Sequence, residues 1–198
     1  MRRNGAMVAA LVLAAAPLAA QSTGTPVYAA PYRAFSNSEI GVSFSDPGPG
    51  FALEGSYRIG FGPTIDGGVR GGLADGKGRN AALLVGVDGR ARVLDHSEAF
   101  PVDGSFTFGF GISSSGGNTV AMLPIGFTMG RRILVDGSNL TLVPYVHPVL
   151  TPLFGDADGI DLSIGFGVDL RLTPRLDLRF SAAIGDRDGI GFTVAFLR

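Results

Sequence analysis

The side chains of this sequence with the most chemical potential are arginines and carboxylates that share one face of a series of alternating runs. Six arginines stand there against six acids. Buried arginine and carboxylate side chains compensate one another through paired hydrogen bonds, so the set predicts a charge-paired interior. The alternative is an electrostatically lined pore, although open channels require more strands than this chain can form. The set comprises Glu54, Arg58, Asp66, Arg70, Asp88, Arg90, Arg92, Asp161, Asp169, Arg171, Asp177 and Arg179.

Two histidines are the candidates for acid–base chemistry near neutral pH. The run Asp95-His96-Ser97-Glu98 places an acid, a base and a hydroxyl side by side. Sequence neighbours rarely form a working triad, because base and nucleophile have to converge from separate elements. We therefore predict a polar turn around His96. His147 falls on the inward face beside Tyr145, where we predict a packed or hydrogen-bonded residue and no catalytic role.

Clustered aspartates raise the possibility of a calcium site. Asp156, Asp158 and Asp161 alternate with glycines, and Asp186 and Asp188 form a second group. Neither group has the twelve-residue spacing of an EF-hand, so we predict turns and no metal site. The many glycines form no GxGxxG motif between a strand and a helix, so phosphate binding and a nucleotide cofactor are not expected.

Composition narrows the class of protein further. The 198 residues carry a formal net charge of -1, which disfavours nucleic acid as a partner. The chain contains no cysteine, so disulfides, thiolate nucleophiles and cysteine-ligated metals are excluded. Mean hydropathy is positive, yet no apolar stretch reaches the roughly 18 residues of a membrane-spanning helix.

The elements that must position the charged residues are strands. Between 158 and 198, apolar side chains occupy every second position in three successive runs, with polar or small residues between them. Successive side chains of a strand point to opposite faces, so each run has one apolar face. Ten such runs are predicted, joined by short connectors rich in Gly, Asn and Asp. They cover 39–45, 51–60, 64–73, 81–93, 105–112, 120–134, 140–150, 160–172, 176–184 and 190–196.

The order of these runs predicts an all-β, antiparallel up-and-down transmembrane barrel of about ten strands, with eight as the alternative. The polar face is rich in Gly, Ser, Asp and Arg, and Lys77 is the one lysine of the chain. A soluble sandwich would present lysine and glutamate to water, whereas a narrow barrel requires small and paired residues inside. An apolar exterior around a polar interior is typical of transmembrane barrels, whose closure also removes the free strand edges.

The N-terminus predicts export. Arg2-Arg3 precedes a short apolar core, and small residues precede Gln21, so residues 1–20 are predicted to be a cleaved secretory signal peptide. Residues 21–37 show no period and contain two prolines, and are predicted to be a flexible lead-in at the periplasmic side. Residues 38–198 form the predicted barrel domain.

The last strand resembles that of bacterial outer-membrane proteins. Ile190, Phe192, Val194 and Phe196 alternate toward an aromatic end. In that family such a strand is recognised by the barrel-assembly machinery, which the resemblance therefore implies as a partner during biogenesis, together with membrane lipids. Family members end on the aromatic residue, whereas this chain continues with Leu197-Arg198. The resemblance extends over about 38–198 and indicates no functional subfamily.

Together these patterns predict a porin-like barrel of a Gram-negative outer membrane, non-enzymatic, with a charge-paired lumen and a structural role in the envelope. Two alternatives stay open. One is a narrow channel for small solutes. The other is a lipid-directed enzyme, because the composition of the His96 turn resembles the triads of lipid-A-modifying barrels. The sequence leaves the oligomeric state open.

Overall fold

The structure is a computed structural model that describes residues 22–47, 50–76 and 80–198. The predicted signal peptide lies outside the described residues and stays a prediction. Within the described residues no helix has the length and hydropathy needed to cross a bilayer. The described residues from 38 onward form one antiparallel sheet that closes on itself.

Ten strands build the barrel, and each corresponds to one predicted run. Most bounds extend the runs by one to five residues where hairpin pairing continues beyond the alternating core, whereas β3, β4 and β7 begin one residue later than predicted. They are β1 Ser38–Asp46, β2 Gly50–Phe61, β3 Ile65–Gly76, β4 Ala82–Leu94, β5 Asp103–Ser115, β6 in three segments (Asn118–Met122, Ile125–Gly130 and Ile133–Leu134), β7 Thr141–Gly155, β8 Gly159–Thr173, β9 Leu176–Gly185 and β10 Gly189–Leu197.

The three segments of β6 are one interrupted strand. Both longer segments continue a single register against β5, from Gly111 opposite Met122 to Phe108 opposite Ile125. All three also share one register against β7. Pro124 lies in the first interruption, where it cannot donate to the ladder because proline has no N–H. The irregular sixth run therefore forms one strand of the barrel. The prediction of ten strands, with eight as the alternative, is confirmed.

Pairing of the first strand with the last closes the barrel. Glu39 lies opposite Leu197 and Asp46 opposite Ile190, in an unbroken antiparallel register. Ser38 and Leu197 lie at the same end, called here the terminal end. The other end, called the hairpin end, carries the connectors between β1 and β2, β3 and β4, β5 and β6, β7 and β8, and β9 and β10. Closure leaves no strand edge unpaired.

The two faces of the wall have opposite character. Outward side chains are apolar and exposed, as for Val69 and Ile160, whose exposed fractions are 54% and 65%. Inward side chains are polar and buried, as for Glu54 and His147 at 1% and 0%. The last strand follows the same rule. Its four predicted assembly-signal residues lie on the outward face, and the Phe192 ring centroid is 4.9 Å from that of Phe180.

The aspartates considered for calcium stabilise the hairpin end. An oxygen of Asp156 accepts a hydrogen bond from the Thr119 amide at 2.6 Å, and one of Asp186 accepts from the Leu162 amide at 2.8 Å. Each carboxylate therefore joins its own hairpin to the neighbouring strand. Gly155 and Gly185 precede these residues with positive φ, which glycine adopts without strain.

Candidate functional site in the barrel lumen

Residues 22–37 are called here the N-terminal segment. Residues 22–35 of this segment lie inside the barrel, whereas Ser36 and Asn37 are exposed where it joins β1. The segment begins among β4 and β5 near the hairpin end, where Ser22 is buried, and descends to the terminal end, where Phe35 packs on Ala195 and Leu197. The position in the lumen replaces the expected position at the periplasmic side. The segment shows no period because it pairs with no strand. A flexible segment and a segment buried in the lumen therefore look alike in the sequence.

The wall holds the N-terminal segment through its backbone carbonyls. Among the described residues, five side chains of the wall and that of Arg187 in the β9–β10 hairpin donate to six carbonyl oxygens of the segment. The segment is therefore bound from several sides. Ser181 Oγ donates to the Pro26 carbonyl at 2.6 Å, and Ser105 Oγ to that of Pro31 at 2.7 Å. The full set pairs Arg187 with Gly24, Ser181 with Pro26, Tyr145 with Tyr28, Arg90 with Ala30, Ser105 with Pro31 and Arg171 with Ala34.

Inward glycines make room for the segment. A Cβ atom added at Gly165 would overlap the Tyr28 ring, and one added at Gly86 or Gly111 would overlap Ser22. At Gly191 an added Cβ would lie 2.6 Å from the Pro26 carbonyl oxygen. The small inward residues therefore allow the N-terminal segment to approach the wall closely.

Side chains of the segment also contact the wall, among them those of Thr25, Tyr28 and Tyr32. Thr25 Oγ1 donates to Glu54 at 2.6 Å, and the edge of the Tyr28 ring meets His147 at a centroid distance of 5.5 Å. Near the terminal end the Tyr32 hydroxyl donates to Asp103. Burial and this hydrogen bond raise the pKa of Tyr32 to about 12, so the hydroxyl stays protonated and remains a donor.

Two ion clusters fill the space around the segment. In the first, Asp66 lies between Arg58 and Arg90. Arg58 Nη2 is 2.5 Å from one of its oxygens, and Arg90 Nη2 is 2.8 Å from the other. Arg58 also contacts Asp88. Every member of this cluster belongs to the predicted charge set, from strands β2, β3 and β4.

The second cluster is centred on Arg179. Its two terminal nitrogens donate to the two oxygens of Glu39 at 2.7 and 2.5 Å. The same guanidinium lies 3.2 Å from Asp177 and 3.5 Å from Asp169. Arg171 Nε contacts the other oxygen of Asp177 at 3.1 Å. Glu39 belongs to β1, so this cluster joins both sides of the seam that closes the barrel.

The other predicted charges take less central positions. Arg70 is 3.9 Å from Glu54, and Asp161 pairs with Arg187 at 2.8 Å toward the hairpin end. Arg92 contacts Asp95 at 3.1 Å at the terminal end, and Asp95 is largely exposed. The structure thus brings eight of the twelve predicted residues into the two clusters and places these four outside them.

Sequence reasoning missed Glu39, Asp103 and the whole N-terminal segment. Glu39 could have been assigned to the charged interior from the sequence, because it is the acid of the first run and occupies an inward position. Two of the four tyrosines of the chain, Tyr28 and Tyr32, lie in the segment. Tyrosines are unusual in a flexible lead-in and typical of packed chain.

The histidines do not form a hydrolytic site with their sequence neighbours. His96 Nδ1 lies 2.9 Å from Asp103, whereas Ser97 Oγ accepts a hydrogen bond from the Phe100 amide within the turn. His147 Nε2 lies 2.7 Å from Thr107 Oγ1 in the fully buried centre of the lumen. Both histidines thus occupy the structural positions expected from the sequence.

Little space remains around the segment. A cavity between it and both clusters, bordered by Glu39, Arg90 and Arg179, measures about 50 Å³. That volume admits a few water molecules and excludes a solute of sugar size. The arrangement therefore holds a polypeptide chain in a charged lumen, and among the described residues it leaves little room beside that chain.

The glycine contact at Gly165 gives a first test. In Gly165→Ala the new methyl group overlaps the Tyr28 ring, so we expect the free energy of unfolding to fall by about 1–3 kcal/mol. The matched control is Gly55→Ala, where an added Cβ meets no atom within 4 Å among the described residues. Urea unfolding followed by circular dichroism measures both. The cost should disappear when Tyr28→Ala is combined with Gly165→Ala, and an equal cost in that background would contradict the contact.

Comparison with known proteins finds similar solved structures and no matching family. No family model and no curated protein matches the sequence. Sixteen chains of solved structures are similar. They include a bacterial polysaccharide outer membrane secretin (12% identity, TM-score 0.45, 75% of this chain and 57% of that one). A KdgM porin in complex with disordered oligogalacturonate is similar at 10% identity and a TM-score of 0.46, over 81% of this chain and 99% of that one. The β domain of the Bordetella autotransporter BrkA is similar at 14% identity and a TM-score of 0.48, over 80% of this chain and 96% of that one.

This chain spans less than two thirds of the length of the secretin chain. At these TM-scores the neighbours do not determine the fold of this protein. The closed ten-strand barrel follows from its own register, as predicted from the sequence.

Proposed function

We propose that this protein is an outer-membrane β-barrel that its own N-terminal segment closes at rest, and that it serves a structural role in the envelope. The observation that carries the proposal is the buried stretch 22–35 of the segment, between two compensated ion clusters. The apolar outward face supports membrane insertion, because lipid is the environment in which that face is favourable. Lipids are then the permanent partners, and the barrel-assembly machinery would recognise the outward residues of β10 during biogenesis.

A non-enzymatic role agrees with the chemistry of the lumen. The buried His147 contacts Thr107 and the Tyr28 ring, and the remaining cavity is too small for a lipid or sugar substrate. His96 is the more accessible histidine, and its partner Asp103 also binds Tyr32 of the segment. These contacts support structural roles for both residues.

Planar-bilayer recording of the refolded full-length protein tests the closed state. Heat-modifiable gel mobility first establishes that the barrel has folded. We expect a folded protein without discrete conductance steps, because the segment and the ion clusters occupy the lumen. Steady conductance steps that shrink in Arg90→Gln would contradict the proposal, because they would require a continuous aqueous path past this buried arginine.

A narrow channel is the second candidate, and one observation favours it. The segment that occupies the lumen belongs to none of the strand pairings of the described residues. Occlusion therefore depends on side-chain contacts, which can be broken while the barrel wall remains intact.

A further inference from the structure

We propose that the lumen wall is a binding site for an extended peptide, and that the N-terminal segment is its intramolecular occupant. This inference rests on the proposed closed barrel and adds the class of ligand that the lumen accepts. Displacement of the segment would leave the same wall groups free to bind a second extended chain, and an empty lumen would conduct ions.

The contacts identify backbone as the group that the wall binds. The donors of Ser181, Tyr145 and Arg90 reach the carbonyls of Pro26, Tyr28 and Ala30, so alternate residues of the segment are bound in succession. These donors belong to three strands, β9, β7 and β4. Recognition of this kind fits polypeptide, which repeats a carbonyl acceptor at every residue.

The shape of the lumen fits the same ligand. Gly86, Gly111, Gly165 and Gly191 lie where the segment approaches the wall most closely, and side chains at these positions would overlap it. Pro26 and Pro31 carry no N–H, so at two buried positions the segment brings no donor that the lumen must satisfy. The site therefore suits an extended, proline-containing chain with small side chains between a few aromatic residues.

The wall is complete without its occupant. Pairing of β1 with β10 closes the barrel from Glu39 to Asp46, and residues 22–35 contribute to no strand pairing in the described part of the chain. The amides of Ser36 and Asn37 donate to the Arg198 carbonyl, which fixes the point where the segment leaves the wall. A deletion that ends at residue 35 preserves this junction.

A covalently attached occupant has a high effective concentration, in the millimolar range for a short tether. A free peptide at micromolar concentration should therefore compete poorly with the segment in the full-length chain. The same peptide should bind readily to a barrel that lacks residues 22–35. This difference determines the design of the test.

The test is bilayer recording of a variant that lacks residues 22–35, with a synthetic peptide of sequence 22–35 as the probe. We expect discrete conductance from the variant, and loss of at least about nine tenths of the current when the peptide is added. A scrambled peptide should need roughly tenfold more concentration for the same block, because the Tyr28 and Tyr32 contacts depend on order. Maltohexaose is the second probe, as an uncharged chain without amides.

Each outcome decides the proposal. Block by maltohexaose at the same concentration, or no block by the peptide, would overturn the peptide specificity. A folded but silent deletion variant would show that the wall side chains close the lumen by themselves. That result overturns this inference and the role of the segment in closure, while a closed barrel with a structural role stands. Conductance of the full-length protein would instead overturn the proposed function, so the two failures are distinguishable.

A full-length variant keeps the test valid if the deletion variant does not fold. The combination Ser105→Ala, Tyr145→Phe and Ser181→Ala removes three hydroxyl donors to the segment and leaves both ion clusters intact. We expect its openings to be at least about ten times more frequent than those of Ser114→Ala, whose hydroxyl instead pairs with Thr119. Equal opening frequencies in the two variants would overturn the proposal.

Discussion

Replacing Arg179 with methionine is expected to lower the free energy of unfolding by about 3–5 kcal/mol. The guanidinium binds both oxygens of Glu39, and Glu39 is 2% exposed. Methionine preserves the bulk of the side chain but leaves a buried carboxylate without its compensating charge. The loss should exceed that of any surface substitution, because a buried charge cannot regain solvent without opening the seam between β1 and β10.

The measurement is urea unfolding in detergent micelles, followed by far-UV circular dichroism because the chain has no tryptophan to report by fluorescence. Arg175→Gln is the matched control, since Arg175 is exposed in the turn between β8 and β9 and should change stability by less than about 0.5 kcal/mol. Adding Glu39→Gln to Arg179→Met should recover part of the loss. Unchanged stability of Arg179→Met would show that the ion cluster contributes nothing to folding.

Replacing Val69 with arginine is expected to cost about 2–4 kcal/mol in lipid vesicles. Val69 lies near the middle of β3 on the outward face, between Tyr57 and Val87 of the adjacent strands. An arginine there would place a charge in the hydrocarbon layer if the outward face contacts lipid. The same change on a barrel surrounded by water would be nearly neutral.

Leu134→Arg provides the depth control. Leu134 is 71% exposed at the terminal end of β6, so its arginine reaches the interface and should cost about 0–1 kcal/mol. Urea unfolding in phosphatidylcholine vesicles compares the two variants. Equal costs for both positions would argue against a membrane band around the middle of the barrel.

Much of the barrel wall was predictable because a strand has a short, strict period. The alternation from Ile160 to Leu172 determined which side chains face outward, and the sixth run could be identified although Pro124 interrupts its ladder. The charged residues of the inward face were predictable for the same reason. Their partners were not, because Glu39 meets Arg179 only after the first and last strands have closed the barrel.

The N-terminal segment shows where sequence reasoning ends. Its residues have no period, since each contact is made with a different strand and none is made through a ladder. The glycines that receive it are spread from Gly60 to Gly191, more than a hundred residues apart, and none of them indicates its partner. A local pattern cannot report a contact of that range.

The sequence by itself determined the two faces of the wall and the balance of arginine and carboxylate inside, and it favoured ten strands over eight. These properties depend on alternation and composition, which are local. The tertiary structure alone decided how the charges pair and what occupies the lumen. Both depend on closure, because ring formation brings β1 to β10 and encloses the space in which residues 22–35 are buried.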